Sequence, residues 1–295
     1  MAITMSSTHR VPVRAGVGLR LPHIEEVVAT RPSAGWFEIH PENFVANPHG
    51  MELLQDLARL YPISVHTVGL SVGSVGGIDR PHLRRVRALI DLIDPVLVSG
   101  HLAWSTHKGE YLNDLLPLPY DRETLDTVAG HLREVQDGLG RPFLLENPSS
   151  YVGFAGSTMT EVQFLNELVD RTGCRLLCDV SNVYLSGRNM GYDARQYLDG
   201  LPAEAIDELH LGGFTAEDDD ATPGGEVLID THATPVAEPA WALYAYAIQR
   251  FGPRPTLIEW DNDIPALDAL LNEAARADAI SHETTDIEAH RVVAG

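Results

Sequence analysis

RPFLLENPSSYVGFAGSTMTEVQFLNELVDRTGCRLLCDV, residues 141–180, decides the fold. It opens and closes on short apolar runs, RPFLLEN (141–147) and CRLLCDV (174–180). Between them MTEVQFLNELVDRTG (159–173) sets apolar residues three and four apart, the spacing of one helix face. The pattern predicts a strand, a covering helix and a second strand. The same alternation runs outward in both directions. Upstream lie the strand candidates RAGVGLR (14–20), GWFEIH (35–40), PISVHT (62–67) and PVLVSGH (95–101); downstream lie IDELHLG (206–212) and PTLIEW (255–260). Helical spacing recurs in 51–60, 82–93, 122–139 and 238–252. Eight strands alternating with helices predict a parallel sheet closed as a single (β/α)8 TIM barrel of the α/β class. A doubly wound open sheet is the fallback, but it usually carries a glycine-rich phosphate loop after its first strand. GVGLRLPH lacks the third glycine, and SVGSVGG (71–77) lacks the Lys-Ser/Thr ending. The domain is expected over 14–278, after an N-terminal extension at 1–13 and before a polar tail at 279–295 whose end, HETTDIEAHRVVAG, reads as loose.

Composition narrows the function classes. Lys and Arg number 21 against 42 Asp and Glu, a formal net charge of -21 with no basic block to offset it. Such a chain repels phosphate backbones, which argues against nucleic acid as a partner. No apolar run reaches membrane-spanning length, and MAITMSSTHRVPVRAG has no signal-peptide core, so a cytoplasmic protein with no membrane partner is expected. The two cysteines, Cys174 and Cys178, are too few for a disulfide scaffold, an iron–sulfur cluster or a structural zinc site and read as reduced core thiols.

The chemistry sits at the strand ends. Six consecutive strand candidates finish on a metal-capable side chain: His66, His101, Glu146, Asp179, His210 and Glu259. A lone strand-end histidine is more often a hydrogen-bonded core residue. With 13 His and 42 acidic residues in 295, however, six such endings in succession are hard to obtain by accident. In a barrel the C-terminal strand ends meet at one mouth, where active sites lie. Asp230 and His232 follow in VLIDTHATPV (227–236), read as an extended segment that presents both to one side. Four carboxylates meeting there repel one another unless cations compensate, and only Arg20 and Lys108 are near. Two or three divalent ions would supply that charge, since eight or nine donors exceed one ion's needs. Mixed His and carboxylate ligation without thiolate suits Fe, Mn or Zn. Asn182, one turn beyond Asp179 in DVSN, is a ninth donor candidate. Glu42 and Asn43, in EIHPENF with His40, are candidates for lining the substrate pocket; His82 and His131 read as solvated helix residues.

The segments GVGLRLPH, WFEIHPENF, ISVHTVGLSVGS, VSGHLAWS, LLENPSSY, LCDVSNVY, ELHLGGF, IDTHATPV and LIEWDND resemble the multinuclear non-haem iron-dependent oxidases, which include methanobactin-biosynthesis-like oxidases. The resemblance covers about residues 14–275. It implies a xylose-isomerase-like barrel holding two or three irons in mixed ferrous and ferric states, with O2 as co-substrate. It implies a ribosomally synthesised precursor peptide as substrate, modified at cysteine, and a separate partner protein that recognises the precursor leader. Carried over by motif, the ligands are His66, His101, Glu146, Asp179, His210, Asp230, His232 and Glu259, with Asn182 beside them. The residues alone also suit a divalent-metal barrel isomerase or a hydrolase of the endonuclease IV kind, or a non-catalytic metal-binding protein.

Overall fold

In the computed structural model, which describes residues 11–107, 110–219 and 225–294, all eight expected runs are strands of one parallel sheet. Chain-order labels are β1 (Ala15–Gly18), β2 (Phe37–Ile39), β3 (Ile63–Thr67), β4 (Leu97–His101), β5 (Trp104–His107), β6 (Glu110–Leu116), β7 (Leu144–Glu146), β8 (Arg175–Asp179), β9 (Ile206–Gly212), β10 (Thr215–Asp218), β11 (Glu226–Ile229) and β12 (Thr256–Glu259). The sheet closes in the order β1-β12-β9-β8-β7-β4-β3-β2, so the chain forms a barrel and the open-sheet alternative falls. These strands are covered on both faces, and every residue of β3 is buried; they are therefore mostly apolar rather than regularly alternating.

The helices are α1 (Leu21–Thr30), α2 (Pro48–Ala58), α3 (Arg80–Ile93), α4 (Arg122–Leu139), α5 (Glu161–Thr172), α6 (Val180–Met190), α7 (Ala194–Gly200), α8 (Glu238–Phe251) and α9 (Leu267–Ala294). Their starts are chemically marked. Asn47, Asp79, Asp121, Thr160, Asp179 and Asp193 each accept a backbone N–H at a helix start through the side chain. Gly140, Gly173 and Gly191 end α4, α5 and α6 in the left-handed region, where a Cβ is penalised. No described helix is long and apolar enough to cross a membrane.

Several elements differ from the reading of the sequence. α1, α6 and α7 were not anticipated. The terminal stretch is helical in backbone, since α9 runs from Leu267 to Ala294. Two antiparallel hairpins, β5/β6 after β4 and β10/β11 after β9, stand beyond the barrel mouth. The acidic run 217–226 contributes its ends to the second hairpin; residues 220–224 and Lys108 lie outside the described residues. Cys174 and Cys178 are buried and unbridged.

Candidate metal centre

Parallel register brings the strand ends together. His101 pairs with Glu146 across β4 and β7, and Asp179 with His210 across β8 and β9. His66 Nε2 lies 3.1 Å from His101 Nε2 and 3.2 Å from Glu146 Oε2, and His101 Nε2 lies 3.4 Å from the same oxygen. Ser99 Oγ, 2.8 Å from His66 Nδ1, fixes the ring so that Nε2 faces this triangle. A second group overlaps the first: Glu146, Asp179, His210 and Glu259 each offer an atom within 4.8 Å of the others. His210 Nδ1 is 3.1 Å from Glu259 Oε2.

Asp179 serves two purposes. Its Oδ1 accepts the Asn182 N–H at 2.7 Å and starts α6, while Oδ2 is buried without a partner. Asn147 holds the corner, donating to the Asp179 carbonyl at 3.0 Å and accepting the Asn182 side-chain amide at its own carbonyl at 3.2 Å. That leaves Asn182 Oδ1 buried and unpaired beside Asp179.

Asp230 and His232 do meet at this mouth, though not along a strand. β11 stops at Ile229, and His232 sits at φ 46°, so a left-handed kink rather than strand alternation joins the pair. His232 Nε2 lies 2.8 Å from Asp230 Oδ1, an ion-pair distance. His232 Nδ1 lies 3.8 Å from Glu259 Oε2. The kinked segment is pinned on backbone: His232 N–H donates to the Gly213 carbonyl at 2.8 Å, and the Asp261 and Asn262 N–H groups donate to the His232 carbonyl at 2.8 and 3.1 Å. Glycines make this seat. A Cβ on Gly212 would stand 2.5 Å from the His232 ring, and one on Gly213 would stand 1.8 Å from the Thr234 carbonyl oxygen.

Burial acts differently on the two sides of the site. It pushes His66 well below the ordinary histidine range and His101 down to about 4, with neighbouring histidines adding to both shifts. Burial also opposes protonation of His210 and His232, but facing carboxylates outweigh it. His210, beside Glu38, Glu208 and Glu259, is held well above its ordinary value, and His232, beside Asp230, is raised to about 10. Desolvation lifts Glu146 well above the carboxylate range and Asp179 to about 6, while His232 and His210 overcome the same burial and hold Glu259 well below it.

The structure adds residues that the strand-end reading passed over. Glu38 and Glu208 are fully buried, with oxygens 3.6 and 3.5 Å from His210 Nε2. The sequence did carry a signal: E-I-H at 38–40 and E-L-H at 208–210 put each glutamate two residues before a histidine, on the same strand face one layer deeper. His40 Nε2 lies 3.8 Å from Glu259 Oε1. Arg20 enters where expected, its guanidinium 3.6 Å from Glu259 Oε1 and in direct contact with Asp261. A cavity of about 400 Å3 opens over these residues. A neighbouring one of about 770 Å3 shares His40, Val68, Tyr111 and Asn113 with it and contains Glu42 and Asn43. Glu42 Oε1 accepts the Gly69 N–H at 2.9 Å and lies 3.0 Å from His82 Nε2, so His82 is a buried partner of Glu42 and not solvated.

Against known proteins, residues 14–282 match the model of the RiPP precursor modification enzyme family MbnB/TglH/ChrH. A UPF0276 protein of Vibrio vulnificus is 49% identical over 277 residues, 94% of each chain. A UPF0276 protein of Chromobacterium violaceum is 47% identical over 92% of this chain and 95% of its own. Among solved structures, an L-ribulose 3-epimerase covers 95% of this chain and 97% of its own at TM-score 0.61 and 16% identity. A xylose isomerase-like TIM barrel protein from Mycobacterium smegmatis in complex with magnesium covers 96% and 99% at TM-score 0.59 and 17% identity. At such identities the structural likeness establishes the barrel alone. The family match extends over nearly the whole chain, and the chain belongs to that family.

Proposed function

We propose, from its membership of the RiPP precursor modification family, that this chain is a multinuclear iron, O2-dependent oxidase that modifies a precursor peptide at cysteine. The carrying observation is the pair of overlapping donor groups at the mouth, His66, His101 and Glu146 with Glu146, Asp179, His210 and Glu259, where Glu146 Oε2, Asp179 Oδ2 and the neighbouring Asn182 Oδ1 are buried with no hydrogen-bond partner. Buried polar atoms of native proteins are satisfied as a rule, so three such oxygens beside these donor groups fit cations. The donors are nitrogen and oxygen with no thiolate, a set iron accepts. His66, His101 and Glu146 would hold one ion, and Glu146, Asp179, His210 and Glu259 a second. Asn182, Asp230 and His232 would hold a third. When bound, iron supplies one-electron chemistry with O2 and a position for the substrate thiolate.

The chain's own residues do the rest. Ser99 and Asn147 orient His66, Asp179 and Asn182, and Glu146 belongs to both principal donor groups. Arg20 adds positive charge beside Glu259 and Asp261. Glu42 and Asn43 line the adjoining cavity and are assigned to substrate binding. The hairpin β5/β6 reaches over the mouth, with Tyr111 and Asn113 lining both cavities, and limits water at the reacting group. A separate leader-recognising protein and a cytoplasmic setting complete the reading.

Elemental analysis of the protein purified without added metal tests it, with a visible spectrum before and after ascorbate. Two or three irons per chain and a ferric band that bleaches support the oxidase. Stoichiometric zinc or manganese, with no O2 consumption on a cysteine peptide after iron reconstitution, returns the isomerase or hydrolase reading.

A further inference from the structure

We propose that a second cavity, on the far wall of the loop after β7, is an aromatic and acidic cage for a lysine or arginine side chain of the peptide substrate. The proposal rests on the peptide-modifying reading above. The cavity has about 550 Å3 and is lined by Tyr120, Tyr192, Tyr197, Glu161, Phe154 and Met190, among others. At its floor the Tyr120 hydroxyl donates to Glu161 Oε2 at 2.7 Å and the Tyr197 hydroxyl to Glu161 Oε1 at 2.5 Å. Tyr192 stacks on Tyr197 with ring centroids 5.5 Å apart. At the rim Val152, Phe154 and Met190 are 59, 42 and 39% exposed, a cluster of apolar side chains left to solvent.

A carboxylate held by two tyrosine hydroxyls in an aromatic-walled cavity is chemistry that suits an organic cation, because aromatic rings and the acid both attract positive charge. Apolar walls suit the methylene stem of such a side chain. No Lys or Arg among the lining residues already fills that role. Nor does α5 need Glu161 as a cap. Thr160 and Gln163 form a reciprocal capping box that satisfies its first turn. Both Glu161 oxygens accept neutral phenol hydroxyls, and among the described residues no Lys, Arg or His forms an ion pair with it.

Continuity with the metal mouth says why the cation belongs to a peptide. One loop divides the two spaces: Ser149 and Tyr151 line the metal-side cavity, and Ser150 and Val152 line the cage. The Tyr151 hydroxyl accepts the Asp230 N–H at 2.9 Å, tying this wall to the metal site. A peptide with one residue at the metal site reaches the cage by crossing that single wall. The net charge of -21 favours its basic residues.

Calorimetric titration of the metal-loaded protein tests this with two capped peptides, acetyl-Gly-Leu-Lys-Leu-Gly-amide and its norleucine counterpart, and with n-butylamine alone. The lysine peptide is expected to bind at least tenfold tighter than the norleucine peptide, and Glu161→Gln to abolish the difference without changing metal content. Should Glu161→Gln melt early, Tyr192→Ala, at the more exposed side of the cage, takes its place. Equal affinity for the two peptides, or a preference that survives both substitutions, overturns the cage. Butylamine binding as tightly as the lysine peptide overturns the peptide as its source. Loss of the cage leaves iron content and ascorbate bleaching where they were, whereas a zinc or manganese protein fails the oxidase reading without touching this titration.

Discussion

The two halves of the metal site use the same residue type in opposite ways. On the β3–β4 side, His66 and His101 face each other and Glu146, and burial keeps them uncharged. On the β9–β12 side, His210 and His232 are just as buried, yet Glu38, Glu208, Glu259 and Asp230 hold them as cations. The first half is preset to receive metal, since a neutral imidazole is already a ligand. In the second half a bound ion displaces a proton, and until then the histidines themselves balance the acids. Stability and metal binding are therefore one problem on the second side and two on the first.

Glu146 is the residue common to both halves, so its loss has the largest effect. Glu146→Ala should remove bound metal and lower turnover by more than about 100-fold, beyond the cost of losing a residue that merely supports a ligand. Metal retained at the wild-type ratio would separate the halves.

Thermal melts of metal-free protein sharpen the contrast. His210→Ala leaves Glu38, Glu208 and Glu259 facing one another and should cost about 3–5 kcal/mol, whereas His66→Ala removes an uncharged ring and should cost clearly less. Equal losses would mean that His210 carries no charge. Stripping metal from the wild type should cost about 3 kcal/mol when the free ion stood near 100 times its Kd.

The halves also predict opposite pH limbs in metal-free protein. His101, lowered to about 4, gives stability that fades as pH falls from about 6.5 towards 4, since only the unfolded chain gains the proton there. His232, raised to about 10, gives stability that is complete below about 6.5 and fades as pH climbs towards 10. His101→Ala should flatten the acid limb and His232→Ala the alkaline one. Asn182→Ala, which removes one neutral oxygen donor, should have the smallest effect, about tenfold in the affinity of a single ion, read by competition with a chelator.

The barrel was legible because short, mostly apolar strand runs alternate with helical spacing, and six of them carry a charged or imidazole residue at or near their ends, a signal that survives without knowledge of packing. The six strand-end residues follow from that rule, and register makes them neighbours. Glu38 and Glu208 were passed over because a glutamate inside a strand reads as solvent-facing. Only closure of the sheet makes that face an interior. The hairpins β5/β6 and β10/β11 set their apolar residues side by side, as in Tyr111–Leu112, Leu115–Leu116 and Val227–Ile229, so period two does not show. In α6, VSNVYLSGRNM mixes glycine and small polar residues through a helix that one side-chain cap and the barrel wall define. The pairing of Asp230 with His232 was expected for a different reason from the one found, since spacing alone cannot distinguish strand alternation from a left-handed kink.

The glycine pair under that kink has a bearing on redesign. His232 rests on Gly213 through a backbone bond and against Gly212 through its ring, Asp230 N–H donates to the Tyr151 hydroxyl, and neither residue belongs to the closed sheet. The segment 230–234 is in effect an exchangeable cartridge seated on a flat socket. Replacing it alters the outermost part of the site while the eight-stranded frame and its other donors stay as they are. A single methyl group placed on Gly213 would stand 1.8 Å from the Thr234 carbonyl oxygen, so the cartridge must shift to accept it.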